Sequence, residues 1–192
     1  MATVIFASAF VWFLFLSPPD SAPLQPYHPT VQKIDYESAR GTKKKLVSYI
    51  KTNNPSLPDN DAKEIAYWID EYASKEDIDP MLVAALIGRE SSFNKTAVSK
   101  TGAKGLGQIK DFNFDSLDIK DPYNVKQNVR GTVKYLKHLF GMWKDSKDST
   151  RMALASYYQG PNETKRKKNN FPDHVSNYVD DIMKKYRSLN AR

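Results

Sequence analysis

Cysteine is absent from the 192 residues, so no disulfide braces the fold and no thiolate can ligate a metal. Histidine is scarce as well: His28, His138 and His174 stand far apart, without the spacing of a ligand set, and no metal chemistry is expected. No stretch of useful length alternates apolar and polar residues, which argues against a sheet, and no internal repeat is present. Nor is there an apolar run of the roughly 20 residues that cross a bilayer. The longest such run is the uncharged opening "MATVIFASAFVWFLFL", sixteen residues followed by the Pro- and Ser-rich "SPPDSAPLQPYHP". That shape suits a secretory signal, although it lacks a positive start and "DSA" is a poor cleavage site, or else an uncleaved anchor.

The composition then favours one folded domain behind an export segment. Residues 1–22 read as signal or anchor, 23–40 as a linker and 41–192 as the domain, in an exported, monomeric protein of the periplasm or cell envelope. Lys and Arg outnumber Asp and Glu to give a net charge of +7, concentrated partly in "KKK" at 43–45 and "KRKK" at 165–168. Such a surface suits nucleic acid, phospholipid or an acidic wall polymer, and charge alone does not choose among them. No recognition helix or aromatic and basic platform supports a nucleic-acid partner.

From residue 42 onward the apolar spacing is helical, and the fold class is mostly α. "TKKKLVSYIKTNN" ends at the prolines of "NPSLP"; a second helix starts near Asn60 or Asp61 with Ile65, Trp68, Ile69 and Tyr72 on one face. Asp79 and Pro80 open a third. A long helix from about Tyr123 aligns Val125, Val129, Val133, Leu136, Leu139, Phe140 and Trp143. Ser149 is read as the cap of "TRMALASYY", and a last helix covers about Asp173 to Leu189.

In the third helix Val83, Leu86, Ile87 and Glu90 fall at i, i+3, i+4 and i+7, so a carboxyl shares the apolar stripe. Burying a carboxylate is costly unless it is paired, hydrogen-bonded or used. An acid paired with a Lys or Arg at the rim of the core fits this window as well as a functional acid does. After it comes "TGAKGLGQIK", whose three glycines in six residues imply tight turns.

Taken together, "ESSF", "AVSKTGAKGLGQI" and "ALASYYQGP" resemble the soluble lytic transglycosylase family, lysozyme-like enzymes that cut peptidoglycan. The likeness runs from about Ile65 to about Tyr186. It is carried by Glu90, Ser91, Phe93, Ala97, Ser99, Gly102, Ala103, Gly105, Leu106 and Gln108 at fixed spacing, and further on by Asp121, Pro122, Asn128, Gly131, Tyr135 and Leu136. Two departures stand out. Gly107 and Lys110 replace residues that are usually methionine, and "SYYQGP" keeps Tyr157, Gly160 and Pro161 but puts Tyr158 and Gln159 where Asn and Ala are usual.

The resemblance implies a lysozyme-like helical domain with a glycine-rich loop beside a glycan groove. It implies cleavage of the β-1,4 bond between N-acetylmuramic acid and N-acetylglucosamine without water or cofactor, leaving a 1,6-anhydromuramyl end. Glu90 would serve as acid and then as base, consistent with a carboxyl that stays protonated near neutrality among apolar neighbours. Substrate contacts are expected from Ser99, Gln108, Tyr157, Gly105, Leu106 and Tyr158. Each has a local alternative: a turn hydroxyl, a loop amide, a core aromatic, or packing for Leu106. Tyr178 could stack on a sugar face as Tyr158 could, but at its helical spacing it reads first as a core aromatic. Peptidoglycan strands are the expected partner, with membrane attachment through the apolar start and membership of a secretion or wall-remodelling complex as further expectations. Competing readings are a goose-type lysozyme relative, for which Asp111, Asp115 and Asp118 are the candidate second acids, and a wall-binding protein without activity.

Overall fold

The computed structural model describes residues 36–167 and 170–191; the apolar start and the proline-rich stretch behind it lie outside the described residues. Within them the chain is helical: α1 (Tyr36–Asn53), α2 (Asp59–Lys75), α3 (Pro80–Glu90), α4 (Phe114–Leu117), α5 (Val125–Met142), α6 (Ser149–Gln159), α7 (Pro161–Lys167) and α8 (Asp173–Asn190). The only β pairing among them consists of isolated bridges, Val98 to Lys104 and Lys104 to Ile109, inside the glycine-rich loop.

α3 begins where expected, with the Asp79 side chain accepting from the Met81 amide at 2.8 Å. Its surroundings differ from those of a surface helix with one apolar stripe. Met81 through Gly88 are all buried, because α1, α2 and α8 pack around it. Small residues make this possible: a Cβ on Gly88 would lie 3.0 Å from the Tyr49 hydroxyl and 3.3 Å from the Phe93 ring. α3 is thus the axis of the fold, and Glu90 sits where that axis meets solvent.

The other boundaries follow local chemistry. α1 starts at Tyr36, inside the stretch expected to be a linker. α6 is capped by Asp148 rather than Ser149; the Asp148 carboxylate accepts from the Arg151 amide at 3.1 Å. α4 and α7, of four and seven residues, carry no helical period that the sequence reveals. The long α5 presents Val125, Val129, Val133, Leu136 and Leu139 to the core as its spacing predicts. A second set, Asn128, Thr132 and Tyr135 at i, i+4 and i+7, faces the glycine-rich loop and the Tyr157 ring beside it.

Candidate active site

Glu90 ends α3, where the negative pole of the helix dipole disfavours added negative charge. Directly after it the backbone takes the left-handed conformation at Ser92 and Phe93, φ 49° and 61°. Side-chain-bearing residues rarely adopt it, and here burial of the Phe93 ring, edge-on to Tyr49 at 5.8 Å, offsets the strain. The turn swings the chain away, so that the glycine-rich loop comes back beside Glu90.

Two glycines set that approach. Gly105 has φ 74°, and a Cβ there would lie 2.3 Å from both Asn128 Nδ2 and the Pro122 carbonyl. At Gly107 a Cβ would meet Thr132 Oγ1 at 1.9 Å, so the methionine-to-glycine departure matches a loop pressed directly onto α5. Asn128, itself buried, fastens it: its amide nitrogen donates to the carbonyls of Pro122 (2.9 Å) and Lys104 (3.2 Å), and its oxygen accepts from the Gly107 amide at 2.8 Å. From the other side the Tyr157 hydroxyl donates to the Gly107 carbonyl at 2.7 Å.

Between this loop and the α6–α7 junction lies a groove of about 420 Å³ that contains Glu90. Of the residues expected to contact substrate, Ser99, Gln108, Tyr157 and Tyr158 line it. Gly105 and Leu106 do not: Gly105 is the turn against Asn128, and Leu106 is fully buried in the core, so its role is packing. The Ser99 hydroxyl and the Gln108 amide nitrogen are spent within the loop rather than on Glu90. Ser99 Oγ accepts from the Ala103 amide at 3.0 Å and shares a hydrogen bond with Thr101. Gln108 Nε2 donates to the carbonyls of Gly105 (2.9 Å) and Ala97 (3.2 Å), holding a loop residue whose own φ is 50°.

The group that does donate to Glu90 is Tyr178 of α8. The sequence offers it as a core aromatic or a sugar-stacking ring, and the structure buries it in one stripe with Val175, Val179 and Ile182. The available signal is that a buried phenol needs a hydrogen-bond partner. The Tyr158 ring lies tilted against Tyr178 with centroids 4.6 Å apart, so the second departure residue lies against the acid's partner. Arg89 lies on the same assembly, 5.3 Å from the Tyr178 ring centroid and 3.2 Å from Asp181.

Burial pushes the Glu90 carboxyl up to about 7, against the hydrogen bond from Tyr178 and the charge of Arg89. The Tyr178 and Tyr157 phenols are held well above their ordinary range, first by burial and then by the Glu90 charge, and so remain donors. Tyr178 therefore keeps one hydrogen bond directed at the carboxyl across the neutral range.

Among the described residues Glu90 is the only carboxyl lining the groove. Asp111 is held by Lys104 at 2.8 Å and Asp118 by Arg130 at 2.7 Å, while Asp115 is exposed on α4; none of the three reaches the cavity. A second, shallow depression of about 560 Å³ lies beside Lys44, Lys45 and Leu189 and contains no acid.

A helical domain with one proton-carrying carboxyl at the end of its buried central helix, facing a groove edged by a glycine-rich loop, defines a lysozyme-like class of protein. The profile of the Transglycosylase SLT domain matches residues 67–179, more than half of the chain, and the chain belongs to that family. It is 34% identical over 95 residues to the membrane-bound lytic murein transglycosylase F of Desulfosudis oleivorans, covering 48% of this chain and 21% of that protein. The namesake from Erwinia tasmaniensis is 30% identical over 118 residues, covering 59% of this chain and 22% of the relative. The chain therefore spans about a fifth of the length of these relatives. In fold it is similar to the crystal structure of an inactive mutant of the lytic transglycosylase Slt from Pseudomonas aeruginosa, with a TM-score of 0.56 and 17% identity over 64% of this chain and 23% of that one.

Proposed function

We infer that the chain is a peptidoglycan lytic transglycosylase. The observation that carries this reading is the solitary Glu90, poised near neutrality in a groove with no second carboxyl among the described residues. Its family membership and its relatives, named as lytic murein transglycosylases, support the same substrate.

The reaction asks Glu90 for two proton movements. Protonated Glu90 gives its proton to the glycosidic oxygen as the bond to the muramyl C1 breaks. The positive charge developing on that ring is shared with its own 2-acetamido group. The 6-hydroxyl oxygen then bonds to C1 and its proton returns to the Glu90 carboxylate, which leaves the enzyme ready and consumes no water. An internal hydroxyl outcompetes solvent because its effective concentration reaches on the order of 10⁵ M in favourable geometries. Tyr178 holds the carboxyl, Tyr157 and Gln108 hold the loop that walls the groove, and Tyr158 offers a half-exposed ring to a sugar.

The place of action is the cell envelope, where the substrate lies. Relatives named as membrane-bound and the apolar first sixteen residues support attachment to a membrane, although no helix among the described residues is long and apolar enough to cross one. Digestion of purified murein followed by mass spectrometry tests the reaction: the expected muropeptides are lighter by one water than those of a hydrolytic muramidase. Reducing muramyl ends would instead give the goose-type lysozyme reading, and intact murein the non-catalytic one.

A further inference from the structure

Lys110 and Phe112 line the groove without taking part in the proton transfers or in holding Glu90. Phe112 is the middle residue of the short 3₁₀ turn Asp111–Asn113 and is 83% exposed, the most exposed large apolar side chain among the described residues. Single exposed apolar residues are ordinary on a surface. This one lines the same cleft as Tyr158, itself 47% exposed and contributed by a different segment of the chain. A sugar ring has an apolar C–H face and a polar rim, and flat rings at the edge of a polar cleft match that shape.

Lys110 is the only cation lining the groove among the described residues. Its ammonium donates to the Thr101 carbonyl at 2.6 Å, which fixes its position and leaves two of its three donors. The acid beside it in sequence, Asp111, is taken by Lys104 at 2.8 Å. Among the described residues Lys110 has no carboxylate partner, and the cation acting on Glu90 is Arg89. The groove thus holds one acid that moves the proton and one positioned cation set apart from it.

We propose that Lys110 and Phe112 form a substrate-selecting edge of the groove, at which the Phe112 ring stacks on a saccharide and the Lys110 ammonium pairs with a carboxylate carried by the glycan strand. The inference rests on the murein reading above and narrows it to acidic strands. Such a carboxylate has two sources: the free lactyl arm of a muramyl residue stripped of peptide, or the peptide stem itself.

The test is calorimetric binding by the full chain carrying Glu90→Gln, alone and combined with Lys110→Met or Phe112→Ala. The ligands are a neutral N-acetylglucosamine oligomer, peptide-stripped murein strands and stem-bearing strands. Lys110→Met is expected to weaken binding of acidic strands about three- to fivefold while changing the neutral oligomer by less than about twofold, the scale of a partly exposed ion pair. Phe112→Ala is expected to weaken all three about three- to tenfold, the scale of one aromatic stacking contact. Loss already present on stripped strands places the carboxylate on the lactyl arm, and loss confined to stem-bearing strands places it on the peptide. Equal losses on neutral and acidic ligands, or none, for Lys110→Met would overturn the pairing, and an unchanged Phe112→Ala would overturn the stacking. If the chain with Glu90 intact leaves murein uncut while binding keeps its dependence on Lys110, the lytic reading fails and this inference stands. If murein is cut and Lys110→Met shows no selective loss, the inference alone fails.

Discussion

At the scale of single residues, the site reduces to one carboxyl and the phenol that holds it. Glu90→Gln keeps the shape and can still accept from Tyr178, but has no proton to give, so murein cleavage is expected to fall by about 10²- to 10⁴-fold with helical circular dichroism unchanged. Tyr178→Phe asks a finer question. Its hydrogen bond favours the charged form of Glu90, so removing it should drive the carboxyl further above about 7. In the proposed reaction cleavage starts from protonated Glu90, so the rate of the native chain should follow one descending limb with its midpoint near 7. In Tyr178→Phe that midpoint should move to higher pH, with turnover about tenfold lower from loss of one charge-assisted hydrogen bond. An unshifted midpoint would make Tyr178 a packing residue only. Glu90 is legible in the sequence because a carboxyl at i+7 of an apolar stripe demands an explanation. Tyr178 is not, because the same stripe logic that exposes a misplaced acid conceals a well-placed aromatic. The contacts of Ser99 and Gln108 are equally hidden: a sequence shows that a hydroxyl or amide is present, and only the turn geometry shows that the loop consumes it.

At the scale of elements, long amphipathic segments are readable and short ones are not. α5 and α8 repeat their buried positions over 18 residues each, whereas α4 has four residues and too few turns to show a period. The extent of α3 follows from its cap and spacing, but its stripe suggests a one-sided helix, since burial on every side depends on neighbours that arrive from distant parts of the chain. The union of α5 with the glycine-rich loop is where element and site meet. Asn128→Ala would leave the buried Gly107 amide and the half-buried Pro122 carbonyl without a partner, while the Lys104 carbonyl keeps its bond from the Ile109 amide, and is expected to cost about 2–4 kcal/mol of stability. Gly107→Ala forces a Cβ onto Thr132 and should cost about 1–3 kcal/mol as the loop lifts from α5. Both are measured by chemical denaturation. Because Gly107 is gripped by Asn128 and Tyr157 together, the variants should also lose activity at temperatures where they remain folded; full activity there would show that the groove tolerates a displaced loop.

At the scale of the whole molecule, the buried acid links folding to protons. In the unfolded chain the Glu90 carboxyl titrates near 4.5, and in the fold near 7. Across that interval the folded state keeps a proton that the unfolded state has lost, so this group makes stability fall as pH rises from about 4.5 to 7, with no further change above. A separation of this size corresponds to about 3 kcal/mol, an upper figure for a group that still meets the groove. Other titrating groups superimpose their own slopes; the carboxyl of Asp59, held below its ordinary range by Lys51, acts in the opposite sense at lower pH. Those slopes are common to the native chain and to Glu90→Gln, and cancel in the difference between them. The two should therefore be nearly equally stable at pH 5, and the variant should be more stable by about 2–3 kcal/mol at pH 8, where native Glu90 must fold with a charge that Tyr178 and Arg89 only partly compensate. Urea denaturation of both proteins at the two pH values measures the difference directly. Parallel stability curves would mean that Glu90 is as well solvated in the fold as in the unfolded chain, and a carboxyl of that kind would be too acidic to hold the proton that cleavage requires.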